Sequence, residues 1–268
     1  MVNRIFFEGR DADVPSPFWA EGFGAAALDG YAAAHASSAA DAAFESAESA
    51  DPLGDCLDSG LWIVRDRPAV HPLPGGGTAF VPEFYEMNYP YPLIVWLSPP
   101  PAAPDDFERR IADISPRNCL GVQVPIDPAW QTPQVLDAVR DSVGELRQAW
   151  HVHTERIFPA GEGPAAEAAL TTFLARPEWF GGAIALGGRF AKIPRMPVRN
   201  HALHGKRVLL ATRDGKAAAE TESHRPLART LNAAGVAVTV RRCDGDSLET
   251  SALSDVNAWL MEAICVAA

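Results

Sequence analysis

The sequence lacks several features that would place it in a common class of protein. No apolar run approaches the length of a membrane span. The first ten residues carry Arg4, Glu8 and Arg10, so a signal peptide is not expected either. The four cysteines are far apart and include no CxxC pair, which argues against a zinc site or a disulfide framework. We therefore expect a cytoplasmic protein whose thiols are reduced and mostly packed.

Positive charge is also scarce. The chain has 23 Lys and Arg against 34 Asp and Glu, and no basic patch with interleaved aromatics, so a nucleic-acid partner is not expected. His151 and His153 have a spacing that suits a metal in an extended strand, but no nearby Cys or further His completes a ligand set. We expect neither a metal nor a cofactor.

What the chain does contain is enough apolar material for one large α/β domain. It has 268 residues, of which 47% are hydrophobic. Residues 1–58 differ in composition from residues 59–268: residues 21–50 include 13 alanines and few large apolar groups. We expect an acidic, Ala-rich extension that is mobile or transiently helical. The alternative is a docking arm that anchors on a partner or on the domain through Phe18, Trp19, Phe23, Tyr31 and Phe44.

Short apolar runs alternate with helical patterns along residues 59–268, which predicts a doubly wound, mostly parallel sheet. The predicted strands are 61–64, 78–81, 93–97, 120–124, 156–159, 182–186, 208–212 and 236–241, and the predicted helices are 105–114, 132–150, 164–175, 222–234 and 251–264. We expect 61–64 and 78–81 to form an antiparallel pair at a sheet edge, and Thr132 and Pro133 to be the N-cap and first residue of their helix.

Residues 157–167 (IFPAGEGPAAE) read as a buried strand that passes through a glycine turn directly into a helix. This is the frame of a nucleophile elbow, in which a G-x-S-x-G turn holds a strained serine at the end of a strand. Gly161 takes the place of the first glycine, and Gly163 takes the place of the serine.

Five segments together resemble the α/β-hydrolase superfamily, specifically its phospholipase/carboxylesterase branch: 89–97, 156–161, 176–183, 208–212 and 253–260. The resemblance covers roughly residues 60–266. It implies an esterase or thioesterase ancestor with a serine after the elbow strand, an acid after a later strand and a histidine after the last strand. It also implies an oxyanion hole shared between the elbow and the loop after strand 93–97.

Most of that machinery is missing when the resemblance is carried over by position. The nucleophile position is Gly163, which cannot form an acyl-enzyme. The acid position matches Asp214, but the histidine position matches Asp246, and no histidine follows His224. The elbow oxyanion donor would be the amide of Pro164, which has no N–H, and the second donor loop is Ser98 followed by three prolines.

Three functions stay open at this point. The first is a noncatalytic binding or regulatory module, for a small acyl-type ligand or a protein partner. The second is an active ester hydrolase with a relocated site, built from candidates among Ser98, Glu162, His201 and His204. The third is a structural partner of an active paralogue. A base within hydrogen-bond reach of Ser98 would favour the second, and a large exposed apolar patch the third.

Overall fold

The structure is a computed structural model that describes residues 68–101, 103–188, 190, 201–213, 218–243 and 251–265. These residues form eight strands and five α-helices. The strands are β1 (Ala69–Pro72), β2 (Thr78–Val81), β3 (Tyr91–Ser98), β4 (Leu120–Pro125), β5 (Val152–Glu162), β6 (Gly182–Leu186), β7 (Arg207–Arg213) and β8 (Ala237–Cys243). The helices are α1 (Pro104–Ile114), α2 (Thr132–Ala149), α3 (Pro164–Ala175), α4 (Ala218–Ala233) and α5 (Ser251–Cys265). The division at residue 58 falls outside the described residues and stays a prediction.

The described strands form one sheet in the order β1-β2-β4-β3-β5-β6-β7-β8. From β4 to β8 every neighbouring pair is parallel, whereas β1 with β2 and β2 with β4 are antiparallel. The predicted strands 93–97, 120–124 and 156–159 are therefore central and parallel, and the prediction of a doubly wound, mostly parallel sheet is confirmed. Because parallel strands end at the same edge, Ser98 and Glu162 both lie at the carboxyl edge of the sheet.

The antiparallel pair at the sheet edge forms with a different first strand from the one we predicted. Strand β2 pairs with β1 on one side and with β4 on the other, so the 61–64 segment is not its partner. The hairpin closes through the loop, where Leu73 N donates to Gly77 O at 2.8 Å. The apolar run 61–64 was the stronger strand signal, but the less apolar segment Ala69–Pro72 lies directly beside this tight loop. Residues 61–64 lie outside the described part of the chain.

Helices cover both faces of the sheet. Helices α1 and α5 contact each other on one face, and α2 and α3 contact each other on the other. The α1/α5 face is built on alternate strand residues, including Ile94, Trp96 and Phe158, which pack with Trp259 of α5. Trp259 is 1% exposed, so burial of its ring is one of the large contributions to this core. None of the described helices is long and apolar enough to cross a membrane.

Two local predictions need correction. The N-cap of α2 is Gln131 instead of Thr132, because Gln131 and Gln134 form a reciprocal capping box through side chain and backbone. Strand β5 begins four residues before the predicted start at 156. Its first half carries partly exposed polar residues such as His153 and Thr154, which a search for apolar runs does not detect.

Candidate functional site

The turn from β5 into α3 has the backbone of a nucleophile elbow. Gly163 stands between the two elements with φ 59° and ψ −120°, a region that residues with a side chain seldom occupy. Its amide donates to Leu186 O at 2.8 Å, and its carbonyl accepts from Ala166 N at 3.2 Å. These two hydrogen bonds tie the turn to β6 and to the first turn of α3, so the strained conformation is held from both sides.

The two glycines of this turn have different surroundings. A Cβ at Gly161 would lie 2.4 Å from the carbonyl oxygen of Ala165, so only glycine allows α3 to approach the end of β5 this closely. A Cβ at Gly163 would meet no atom of the described residues within 4 Å. At the carboxyl edge of the sheet, the position at which an elbow presents its nucleophile is therefore not filled by any part of the chain that the structure describes.

The positions expected to supply oxyanion donors lack amide hydrogens. Pro164 is the first residue of α3 and follows Gly163 directly. Ser98 ends β3 and is followed by Pro99, Pro100 and Pro101. The carbonyl of Ser98 accepts from Ile126 N at 2.9 Å, which ties this loop to the end of β4.

Ser98 and Glu162 lie on adjacent strands, but they do not form a catalytic pair. The Ser98 hydroxyl oxygen is buried and has no hydrogen-bond partner among the described residues. The Glu162 carboxylate instead forms an ion pair with Arg110 of α1, and the guanidinium of Arg110 lies 5.7 Å from the centre of the Trp96 ring. The Arg110 and Glu162 side chains are 27% and 24% exposed, so the pair is largely shielded from water. Glu162 is thus held toward α1.

The structure does not bring His201 and His204 to this edge. His201 begins a short 3₁₀-helix, His201–Leu203, and His204 follows it just before the start of β7. Gly205 N donates to Gly235 O, in the turn before β8. Both histidines are exposed at the amino edge of the sheet, opposite Ser98 and Glu162. The two other positions carried over from the resemblance, Asp214 and Asp246, lie outside the described residues.

Comparison with solved structures identifies the architecture. A fungal esterase from Rhizomucor miehei superposes with a TM-score of 0.54 at 15% identity, over 77% of this chain and 85% of the esterase. A ferulic acid esterase superposes with a TM-score of 0.56 at 13% identity, over 70% of this chain and 92% of the esterase. Est1E from Butyrivibrio proteoclasticus superposes with a TM-score of 0.53 at 10% identity, over 74% of this chain and 99% of Est1E. The chain has the α/β-hydrolase fold. No family model and no curated protein sequence matches it, and at these identities the similarity establishes the fold alone.

In this α/β-hydrolase fold, a histidine that the sequence reading did not select lies near the elbow. His224 of α4 is 1% exposed, and its Nε2 lies 3.0 Å from the carbonyl oxygen of Gly188, just after β6. Since a carbonyl only accepts, Nε2 carries the proton and donates. A Cβ at Gly188 would lie 3.4 Å from Gly163 O, so Gly188 packs on the elbow. The sequence feature that pointed to this residue was that His224 is the last histidine in the chain.

Several titratable groups with shifted pKa values lie at the amino edge of this fold, away from the elbow. Burial raises the pKa of Cys119, which stands just before β4, to about 12. Burial also raises the pKa of Tyr85, before β3, and lowers the pKa of Lys206, before β7. Shifted pKa values often mark catalytic sites, but here they reflect packing around the starts of strands. Among the described residues, no group of three His, Cys, Asp or Glu side chains could hold a metal ion.

Proposed function

We propose that this chain is a noncatalytic member of the α/β-hydrolase fold that acts as a binding or regulatory module. Its ligand, a small acyl-type molecule or a segment of a protein partner, occupies the opening above Gly163. The observation that carries the proposal is the elbow itself, which keeps its strained backbone while presenting no side chain, and no described atom lies within 4 Å of the Cβ position.

The chemistry of acyl transfer supports this proposal. A serine hydrolase needs a nucleophile, a base that takes its proton and donors for the tetrahedral oxygen. Gly163 supplies no nucleophile, and Pro164 supplies no amide hydrogen. Loss of one element can leave residual activity because the others still act. Loss of independent elements together removes the basis for the reaction at this position.

A relocated hydrolase site is the competing proposal, and Ser98 would be its nucleophile. The buried hydroxyl of Ser98 lies at the carboxyl edge, where catalytic groups of doubly wound folds collect. Its weakness is that activation requires a base within about 2.6–3.2 Å of the oxygen, and Ser98 has no hydrogen-bond partner among the described residues. Glu162, the carboxylate on the adjacent strand, is engaged by Arg110.

A partner role for the domain would use an exposed apolar surface. In the loop between β2 and β3, Phe84, Met87 and Tyr89 are 39–47% exposed. The Phe84 ring is already covered in part by Arg117, whose guanidinium lies 5.0 Å from the ring centre. This is a small surface, and within the part of the chain that the structure describes it favours the first proposal over a purely structural role. Cytoplasmic location stays a prediction from the sequence.

Fluorophosphonate labelling and ester hydrolysis test the proposal directly. We expect the full chain to remain unlabelled and to hydrolyse p-nitrophenyl butyrate no faster than an equal concentration of an unrelated protein. The Gly163→Ser variant should behave in the same way. Serine hydrolases that lack their triad side chains still react about 10³–10⁴-fold faster than the reaction in water, because the oxyanion hole and substrate binding remain. Loss of one oxyanion-hole donor lowers kcat by about 10²–10³-fold, so restoring the serine alone should not restore turnover here.

Ser98→Ala is the matched variant that separates the two proposals. Ester turnover by the unmodified chain that disappears in Ser98→Ala would establish the relocated site and overturn the noncatalytic proposal. Turnover that appears only in Gly163→Ser would show that a base and donors survive at the elbow. Either result would also give a covalent fluorophosphonate adduct, which peptide mass spectrometry assigns to one serine.

A further inference from the structure

We propose that a groove between α4 and strands β7 and β8 is a second ligand site, specific for an organic carboxylate with an apolar body. The groove is about half open to solvent and has a volume of about 330 Å³. It lies on the side of the sheet opposite the α1/α5 face, because Leu209 and Ala211 face α5 and the intervening residues point the other way. The site does not use Gly163, Ser98 or Glu162, and it shares only His224 with the surroundings of the elbow.

The accessible surface of the groove walls is mostly apolar, although Asn232 also lines the groove. Ala228 of α4 and Val240 of β8 contribute carbon, and Val240 is 47% exposed although it lies on the helix-covered face. Thr212 and His224 also line the groove, and both are 1% exposed. A volume of this size falls at the lower end of the range of about 300–1,000 Å³ that is typical of small-molecule sites.

Two polar atoms in these walls already take part in internal hydrogen bonds. The Thr212 hydroxyl donates to Arg241 O at 3.3 Å, which leaves its methyl group as a possible contact for a ligand. The His224 ring donates through Nε2 to Gly188 O at 3.0 Å. Because neither group needs a ligand to satisfy those atoms, the interior favours an apolar body over a sugar or a nucleotide, which would bury many unpaired polar atoms.

Two arginines give the groove its charge preference. Arg225 and Arg229 are exposed, line the groove and stand four residues apart on α4, so they lie on one helix face. No ion pair between described residues involves either of them. Their methylene stems extend the apolar wall while the guanidinium groups stay in water. Two like charges at this spacing repel each other, and a carboxylate between them would relieve the repulsion.

The combination of an apolar interior and an arginine pair selects one class of ligand. A neutral hydrocarbon would leave the two guanidinium charges uncompensated, and a cationic amphiphile would be repelled. An inorganic anion would leave the apolar volume unfilled. A monocarboxylate with an apolar chain or ring satisfies both parts. The planar guanidinium of arginine also matches the two oxygens of a carboxylate better than a lysine ammonium would.

Isothermal titration of the full chain with sodium decanoate tests this site. We expect saturable binding with one site per chain, and no comparable binding of decyltrimethylammonium, which has the same chain and the opposite charge. Arg225→Gln and Arg229→Gln should each weaken decanoate binding by about two- to fivefold, the range for exposed ion pairs. Arg109→Gln on α1, an exposed arginine on the other side of the sheet, should leave binding unchanged.

Ala228→Phe fills the groove and should abolish decanoate binding while the far-ultraviolet spectrum and melting transition stay close to those of the parent. Ala228→Leu provides a smaller change if the phenyl ring disturbs folding, and it should weaken binding without loss of structure. Equal binding by decanoate and decyltrimethylammonium would overturn the proposal. The absence of saturable decanoate binding would also overturn it. A third contrary result would be decanoate binding that is unchanged in Ala228→Phe and in the double variant Arg225→Gln/Arg229→Gln.

Discussion

The two glycines of the elbow, together with a control glycine in α2, predict a specific ranking of three glycine-to-alanine variants. At Gly161, the new methyl would lie 2.4 Å from Ala165 O and 2.5 Å from Ala165 C, both of them backbone atoms at the start of α3. The helix would have to move away from the sheet, and overpacking of this kind costs typically 1–3 kcal/mol and occasionally more. Because the contact is with backbone, we expect about 3 kcal/mol for Gly161→Ala, near the top of that range.

At Gly163 the same methyl would meet no atom of the described residues within 4 Å, so the cost that the structure shows is conformational. A non-glycine residue at φ 59° and ψ −120° is strained by about 1–3 kcal/mol. Alanine also reduces the conformational freedom of the unfolded chain, which stabilises the folded protein by about 0.4–1 kcal/mol. The expected net loss is therefore about 1 kcal/mol, several times smaller than at Gly161 although the two residues are only two positions apart.

Gly144 provides the matched control. It lies inside α2, and a Cβ there meets nothing within 4 Å. Alanine in a helix interior is more stable than glycine by roughly 0.5–1 kcal/mol, so Gly144→Ala should raise the stability. The three variants change the same atoms and differ only in the backbone around them.

Differential scanning calorimetry measures the ranking. At this size one kcal/mol corresponds to about 2–4 °C in Tm, so we expect a fall of about 6–12 °C for Gly161→Ala, a fall of about 2–4 °C for Gly163→Ala and a small rise for Gly144→Ala. Equal falls at Gly161 and Gly163 would refute the reasoning, since they would mean that the close approach of α3 to β5 does not distinguish the two positions. A larger fall at Gly163 would show that backbone strain in the turn outweighs the close contact at Gly161, which would also refute the ranking.

Two further predictions concern the surroundings of the sheet. A double-mutant cycle with Arg110→Met and Glu162→Gln should give a coupling of about 1 kcal/mol in urea unfolding, because the pair is largely shielded from water; additivity of the two changes would contradict this. Cys119 should resist iodoacetamide in the native chain at pH 8 and react after unfolding, because burial raises its pKa to about 12 and the thiolate is the nucleophile; rapid native alkylation of its peptide in mass spectrometry would show that the site is open.

Patterns that act over a few residues were readable in the sequence. The strand, glycine turn and helix at 157–167 are local features, and the structure places them in an elbow with α3 beginning at Pro164 as predicted. Apolar runs likewise predicted the central parallel strands, because a strand buried on both faces needs continuous apolar residues. The weaker signals were those near the sheet edge, where the short strand β1 has only partly buried or exposed residues and a tight turn decides the pairing.

Contacts between distant segments depended on the tertiary structure. Glu162 meets Arg110, 52 residues away, because the packing of α1 against the sheet brings Arg110 beside Trp96 and the end of β5, and no spacing in the chain encodes that meeting. His201 and His204 follow a strand in sequence, but the connection has already returned to the amino edge when it reaches them. His224 reaches Gly188 only because α4 packs beside the loop after β6. Periodicity specifies which face of an element is buried, whereas the packing of elements decides which side chains meet at the edge of the sheet.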